Sequence, residues 1–269
     1  MKLYIDGVGL CAPGLVDWNA GRKVFAGQTE YRYEPLVISP NETLPAAERR
    51  RATDVVKLAI AVCSEAIKHA GARAEDTPSV FSSSGGDGET ITAILEVLAT
   101  DARELSPTRF HNSVHNAPSG YWTIATRSRQ ASTSLCAYDF SFAAGLLEAT
   151  SQVLITKHAV LLASYDLAYP EPLNAVRPIS YGFAVALLLS PRMTANTRAE
   201  LAVSLSCYDG SPTEAVQPSL EALRRTNPAA RSLPLLAAVA STVAQQIRLE
   251  YVAGNSILIS VVPLEANTG

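Results

Sequence analysis

The spacing of apolar positions divides the chain into alternating strands and helices. Leu3 to Leu10 has the length and alternation of a first strand, and Asp17 to Phe25 that of a short helix. Tyr31 to Pro45 holds Pro35, Pro40 and Pro45 and is expected to be an irregular connection. The clearest helical period comes next. Val56, Ile60, Cys63 and Ile67 recur on one face, Thr53 stands at the cap, and Gly71 is placed to close the helix. Ser79 to Ser82 reads as a strand that runs through Ser83-Ser84-Gly85-Gly86-Asp87-Gly88 into a helix from about Thr90 to Leu98.

Thr133 to Cys136 is a short β-branched run, read as a buried strand. From Phe140 to about Leu154 small and apolar residues continue too far for a strand, which predicts a buried helix with Asp139 as its N-cap. Ala159 to Ser164 is apolar at every position but the last, the pattern of a strand covered on both faces. A proline-rich loop from Tyr169 to Pro178 follows, then strands over Tyr181 to Ser190 and Leu201 to Cys207 and a helix over Pro218 to Arg225. Leu233 to Val239 and Ile257 to Val262 look strand-like, and Val243 to Val252 fits either state.

Composition adds limits. With 269 residues, 48% of them hydrophobic, and a mean hydropathy of +0.12, the chain can bury one layered domain. A net charge of −3 without a basic block argues against nucleic acid and anionic membranes as partners. Arg49-Arg50-Arg51 reads as a solvated helix start. Neither a signal peptide nor an apolar run of membrane-spanning length is evident, so a cytoplasmic protein is expected. Cys11, Cys63, Cys136 and Cys207 lack C-x-x-C spacing and are read as reduced core residues.

Two constellations suggest chemistry that their details do not support. The turn at Gly85-Gly86 lacks both G-x-G-x-x-G and the G-K-[ST] ending of a phosphate loop, and is read as a tight strand-to-helix turn. His111 and His115 would share a helix face, but no third ligand is nearby. They are read, with Asn112 and Asn116, as hydrogen-bonding residues of an irregular segment. No metal and no cofactor are expected. Tyr121 and Trp122 are core or interface aromatics.

The stretch Gln130 to Gly145 resembles the nucleophile turn of β-ketoacyl synthases, which reads G-P-S-x-S-I-x-T-A-C-S-S-G-x-x-A. Ser132 and Ser134 match the two serines, Asp139 falls on the nucleophilic cysteine, and Cys136 lies three residues too early. Tyr4 to Gly14 resembles the opening strand and turn of the same family. Ser106 to Trp122 resembles ketosynthase-like proteins of aryl polyene clusters. The resemblance runs from about Leu3 to Pro191, with a weak match in the last strand.

The resemblance implies an α/β, thiolase-like layered fold with the first half complete (residues 1–192) and the second truncated (193–269), merged in one domain over 1–269. Ketosynthases need a thiolate and two second-half donors, usually His/His or His/Asn. Here the histidines are His69, His111, His115 and His158, with none later. Nucleophile and donors are both missing, so no catalytic residue is assigned.

The implied function is a non-catalytic, chain-length-factor-like subunit. It would pair with a full-length β-ketoacyl synthase in aryl polyene synthesis, stabilise it and shape its acyl tunnel, and meet acyl carrier protein indirectly. Interface residues expected from the family are Ala159, Val160, Leu161, Leu162 and Ala163, together with Tyr121 and Trp122. Ile91, Ile94 and Leu95 are acyl-tunnel candidates. The alternatives are a stand-alone thiolase-like acyltransferase or decarboxylating priming enzyme, and a homodimeric scaffold for acyl carrier protein.

Overall fold

A computed structural model describes residues 1–39, 43–101, 103–207, 210–215, 217–252 and 254–264. Of the irregular connection expected over Tyr31 to Pro45, Pro40 lies outside the described residues. The strands are β1 (Lys2–Cys11), β2 (Ser79–Ser82), β3 (Ser132–Leu135), β4 (Val160–Asp166), β5 (Phe183–Ser190), β6 (Ala199–Cys207), β7 (Gln245–Glu250) and β8 (Asn255–Pro263). They form one sheet in the order β3-β2-β4-β5-β1-β6-β8-β7. β2 runs parallel to β3 and β4, and the remaining pairings are antiparallel. Because β6 pairs with β1, the sheet continues across the boundary between residues 192 and 193.

The helices are α1 (Trp18–Phe25), α2 (Ala46–Arg51), α3 (Asp54–Ala70), α4 (Gly88–Leu98), α5 (Pro107–Asn112), α6 (Ala117–Thr126), α7 (Ser141–Thr156), α8 (Leu173–Val176), α9 (Pro218–Thr226) and α10 (Leu233–Ala240). Successive side chains of a strand point to opposite faces, and this sorts the core into two clusters. Leu161, Ala163 and Tyr165 of β4, with Ala184, Ala186 and Leu188 of β5, pack with α3 and α6. Val160 and Leu162, with Val185, Leu187 and Leu189, pack with α7 on the other face. α10 and α1 extend that second layer over β8, β7 and β1.

The second half of the sheet has a helical coat on one face. Leu201, Val203, Ile247, Leu249, Ile257 and Ile259 are buried in the α10 layer. Toward the opposite face Ala202 and Ser204 are exposed, and Val262 is 43% exposed. This part of the sheet is thus covered by helices on one face.

α3 lies directly on β1. A Cβ at Gly7 would fall 2.0 Å from the Ala66 carbonyl oxygen, and one at Gly9 2.0 Å from that of Val62. Gly71 closes α3 in the left-handed conformation, as its position predicts, whereas Thr53 makes no side-chain cap bond. Glu65 fixes the angle of approach. Its two oxygens accept from the Leu10 and Trp18 amides at 2.9 and 2.8 Å, joining the end of β1 and the start of α1 to α3. Burial pushes its carboxyl up to about 7, against the pull of those two amides.

Several expectations need correction. Leu233 to Val239 is helical, not a strand. The ambiguous segment contains β7. The strand at Thr133 is β3, which lies at the sheet edge and is only partly buried. Of the expected interface residues Ala159, Val160, Leu161, Leu162 and Ala163, the last four lie on β4, which is hydrogen-bonded on both sides, and are fully buried within the chain. Tyr121 and Trp122 are likewise core residues, each 2% exposed.

Gly9→Ala is expected to destabilise the chain by about 1–3 kcal/mol through overpacking at a backbone that cannot retreat. Urea unfolding reads this directly, and a variant as stable as the parent would mean that α3 is not seated on β1.

Candidate functional site

The carboxyl ends of the three parallel strands converge, and in open α/β sheets that is where ligand and catalytic groups gather. β2 delivers Ser83 and Ser84, β3 delivers Cys136 to Asp139, and β4 delivers Asp166.

Asp166 is 1% exposed. Its Oδ1 accepts from the Ser83 hydroxyl at 3.0 Å and from the Ser84 amide and hydroxyl, both at 2.8 Å. Its Oδ2 has no partner. Burial raises the carboxyl to about 6, with the Ser84 and Ser83 donors pulling the other way. The Asp166 carbonyl accepts from Asn227 Nδ2 at 3.1 Å, and Asn227 Oδ1 accepts the Ala229 and Ala230 amides. One buried residue therefore joins the β2 turn to the C-terminal half.

The glycine-rich turn is filled from within. The Gly86 amide donates to Ser83 Oγ at 2.9 Å, and the Ser84 amide is taken by Asp166. Tyr169 lies across Gly85 and Gly88, where a Cβ would meet its ring at 2.0 Å (the hydroxyl) and 2.7 Å. Ser83, Asp166 and Tyr169 thus take up much of the interior of this turn.

After β3 the chain turns through Tyr138, whose φ of 53° is left-handed. Ser141 Oγ accepts the Ala137 amide at 3.1 Å and donates to the Tyr138 carbonyl at 2.7 Å, so the serine rather than Asp139 braces the start of α7. The expected N-cap role of Asp139 is therefore corrected: its residue sits in a 3-10 turn and makes no cap bond. Its carboxylate is instead held by arginines. Oδ1 accepts from Arg177 at 2.6 Å, and Oδ2 lies 3.4 Å from Arg231. Arg177 also stacks on Tyr138, 3.6 Å from the ring centre, and Arg231 pairs with Glu250. Asp139, Phe142, Arg231 and Glu250 border a cavity of about 10 Å³, room for one water at most.

The other candidates disperse. Cys136 is exposed, with its thiol 3.0 Å from the Ser84 carbonyl. Cys207 is exposed as well, so the core reading holds for Cys11 and Cys63, whose thiols burial pushes up, the first to about 11. His115 bonds the Ser83 carbonyl at 3.0 Å, while His111 is exposed at the end of α5 and does not share a helix with it. His69 faces the Val8 carbonyl, and His158 is exposed on its own turn. Among the described residues no group of His, Cys, Asp and Glu could hold a metal ion. Ile91 and Ile94 are partly buried and Leu95 is 59% exposed on α4, outside both core clusters.

Sequence reasoning missed Arg177, Arg231, Glu250, Ser83 and Asp166 as members of this site. Asp166, an acid at the end of a doubly covered strand, carried a usable signal. The arginines did not, since they reach Asp139 from distant segments.

Residues 18–251 match the family model described as the beta-ketoacyl synthase, N-terminal domain, and the chain belongs to that family. The match starts later than Leu3 and runs well past Pro191, beyond the extent read from the motifs. No curated protein matches the chain. Solved structures share the fold. A ketosynthase (ApeO) in complex with its chain length factor (ApeC) from Xenorhabdus doucetiae aligns with a TM-score of 0.73 at 23% identity, covering 97% of this chain and 99% of that one. The ishigamide ketosynthase/chain length factor aligns at 0.72 and 13% identity, covering 98% and 100%. A type II polyketide acyl carrier protein in complex with its ketosynthase bound to the hexaketide aligns at 0.75 and 11% identity, covering 98% and 99%. The fold is the thiolase-like ketosynthase fold. No helix among the described residues is long and apolar enough to cross a membrane.

The Asp166 shift sets a pH dependence. Its folded value, about 6, lies above the ordinary 3.8, so the folded state holds the proton more tightly between these values. The resulting stability is complete below about 3.8 and is lost as pH rises through about 6. Relative to Asp166→Asn, the parent should therefore lose stability from pH 4 to pH 7 in urea midpoints. A relative gain over that range would mean that the three donors, not burial, govern the carboxyl.

Proposed function

We propose that this chain is a non-catalytic, chain-length-factor-like subunit that pairs in the cytoplasm with a full-length β-ketoacyl synthase in aryl polyene biosynthesis. The observation that carries the reading is the state of Asp139. A carboxylate clamped between two guanidiniums over a cavity of about 10 Å³ is a poor nucleophile with no space for an acyl chain. An acyl group moved from a thioester to a carboxylate would also form an anhydride, which is less stable than the thioester consumed. The partner would supply thiolate and imidazoles.

Two features support an assembly. β3 is an edge strand, paired with β2 on one side, and a strand edge is a template for another chain. Leu95, Leu98, Phe110, Val114 and Ile124 are 42–64% exposed on or next to α4, α5 and α6, where a partner would cover them. The Xenorhabdus doucetiae complex pairs a ketosynthase with a chain length factor, and such a ketosynthase is the partner chemistry proposed here.

The exposed Cys136 thiol favours one second reading, a stand-alone acyltransferase. Purification with and without a candidate ketosynthase, followed by incubation with labelled acyl carrier thioester, separates the two. The proposal expects a heterodimer labelled on the partner alone. Label on this chain by itself, abolished by Cys136→Ala, would establish the rival.

Ile91, Ile94 and Leu95 are proposed to close the partner's acyl tunnel from α4. Leu95→Trp should then shorten the product by one or more extension cycles without breaking the heterodimer, read by mass spectrometry of carrier-bound products. An unchanged length distribution would remove α4 from the tunnel.

A further inference from the structure

A second cavity, about 230 Å³ in volume, opens between α1, the end of α10 and the last residues of β8. Its polar lining is Arg22, Arg198, Gln28, Ser241 and Thr242, with Trp18 beside them, and it carries no negative charge among the described residues. Trp18 is 1% exposed, and its indole Nε1 is buried with no hydrogen-bond partner. Arg198 Nε is buried and unpartnered too. Arg22 follows Trp18 by one helical turn on α1 and lines the same cavity. Neither arginine forms an ion pair among the described residues, and no described carboxylate lines the space.

The site is built rather than incidental. The Arg198 amide donates to the Ile5 carbonyl at 2.8 Å, and its carbonyl accepts the Leu264 amide at 2.7 Å, so the root of the side chain is fixed. The Trp18 backbone is pinned by Glu65. Glu65 is the acid that Arg198 feels, yet both its oxygens serve the Leu10 and Trp18 amides. Burial and the neighbouring Arg22 cation push the Arg198 guanidinium below its ordinary value. The half-buried Arg198 guanidinium and the Trp18 indole N–H each keep one buried donor without a partner, beside a second cation, Arg22, that faces solvent.

We propose that this cavity binds a small oxyanion, a phosphate monoester or a carboxylate, through Arg22, Arg198 and the Trp18 indole N–H. Guanidinium donors suit both groups, and the indole adds a neutral donor within the apolar wall. The site is independent of Asp139 and of the proposed pairing with a ketosynthase.

The test uses the full chain, or its purified complex, titrated with inorganic phosphate and with acetate at ionic strength held constant by chloride. Calorimetry and the melting temperature are read together. Phosphate, acetate or both should bind and raise the melting temperature beyond chloride, and their ranking assigns the phosphoryl or the carboxylate class. Arg22→Gln, on an exposed helix face, should weaken binding about tenfold or more with unchanged circular dichroism. Trp18→Phe removes the indole N–H while leaving an aromatic ring, and should weaken it less. Absence of binding by both anions, or equal affinity in Arg22→Gln, would overturn the proposal.

Discussion

One oxygen of Asp166 accepts three donors from the β2 turn, in a place sealed from water. The same residue passes its carbonyl to Asn227, whose side chain organises the turn before α10. The strand ends, the glycine-rich turn and the C-terminal layer therefore share a single fastening. A buried carboxyl whose pKa is raised by loss of solvent is an expensive fastening. It is retained where the alternative is to leave two serines and an amide unsatisfied inside the sheet.

Asp139 stands apart from that fastening and closer to the surface. Its carboxylate is neutralised by Arg177 and Arg231, and Ser141 braces the start of α7; the sequence resemblance aligns this position with the family's sulfur. The local backbone still makes the tight turn, with Tyr138 in the left-handed region. The geometry of a nucleophile turn is thus compatible with a wholly structural filling. On the reading proposed above, the fold kept its shape after the chemistry moved to another subunit.

The sequence exposed what is local. α3 could be read from Val56, Ile60, Cys63 and Ile67, and its end from Gly71, because period and cap lie within one segment. Burial of β4 on both faces was legible from its composition. Its place at the centre of the sheet was not, since strand order depends on crossovers that leave no mark in the strand itself. The interface was assigned to this strand from the family resemblance, whereas the edges of the sheet are β3 and β7. α10 was misread because eight mostly apolar residues suit a buried strand as well as a buried helix, and only Pro234 near its start spoke for the helix. The site was half legible. The turn and Asp139 were visible as motifs, while the arginines that define the state of Asp139 came from loops without pattern.

The contact of Tyr169 with Gly85 and Gly88 bears on how this chain can vary. The two glycines are bare because a neighbour's ring needs the room. Substitutions at positions 85, 88 and 169 are consequently epistatic. A side chain at either glycine becomes tolerable once the tyrosine has shrunk, and relatives that differ at one of these sites should differ at another in compensation.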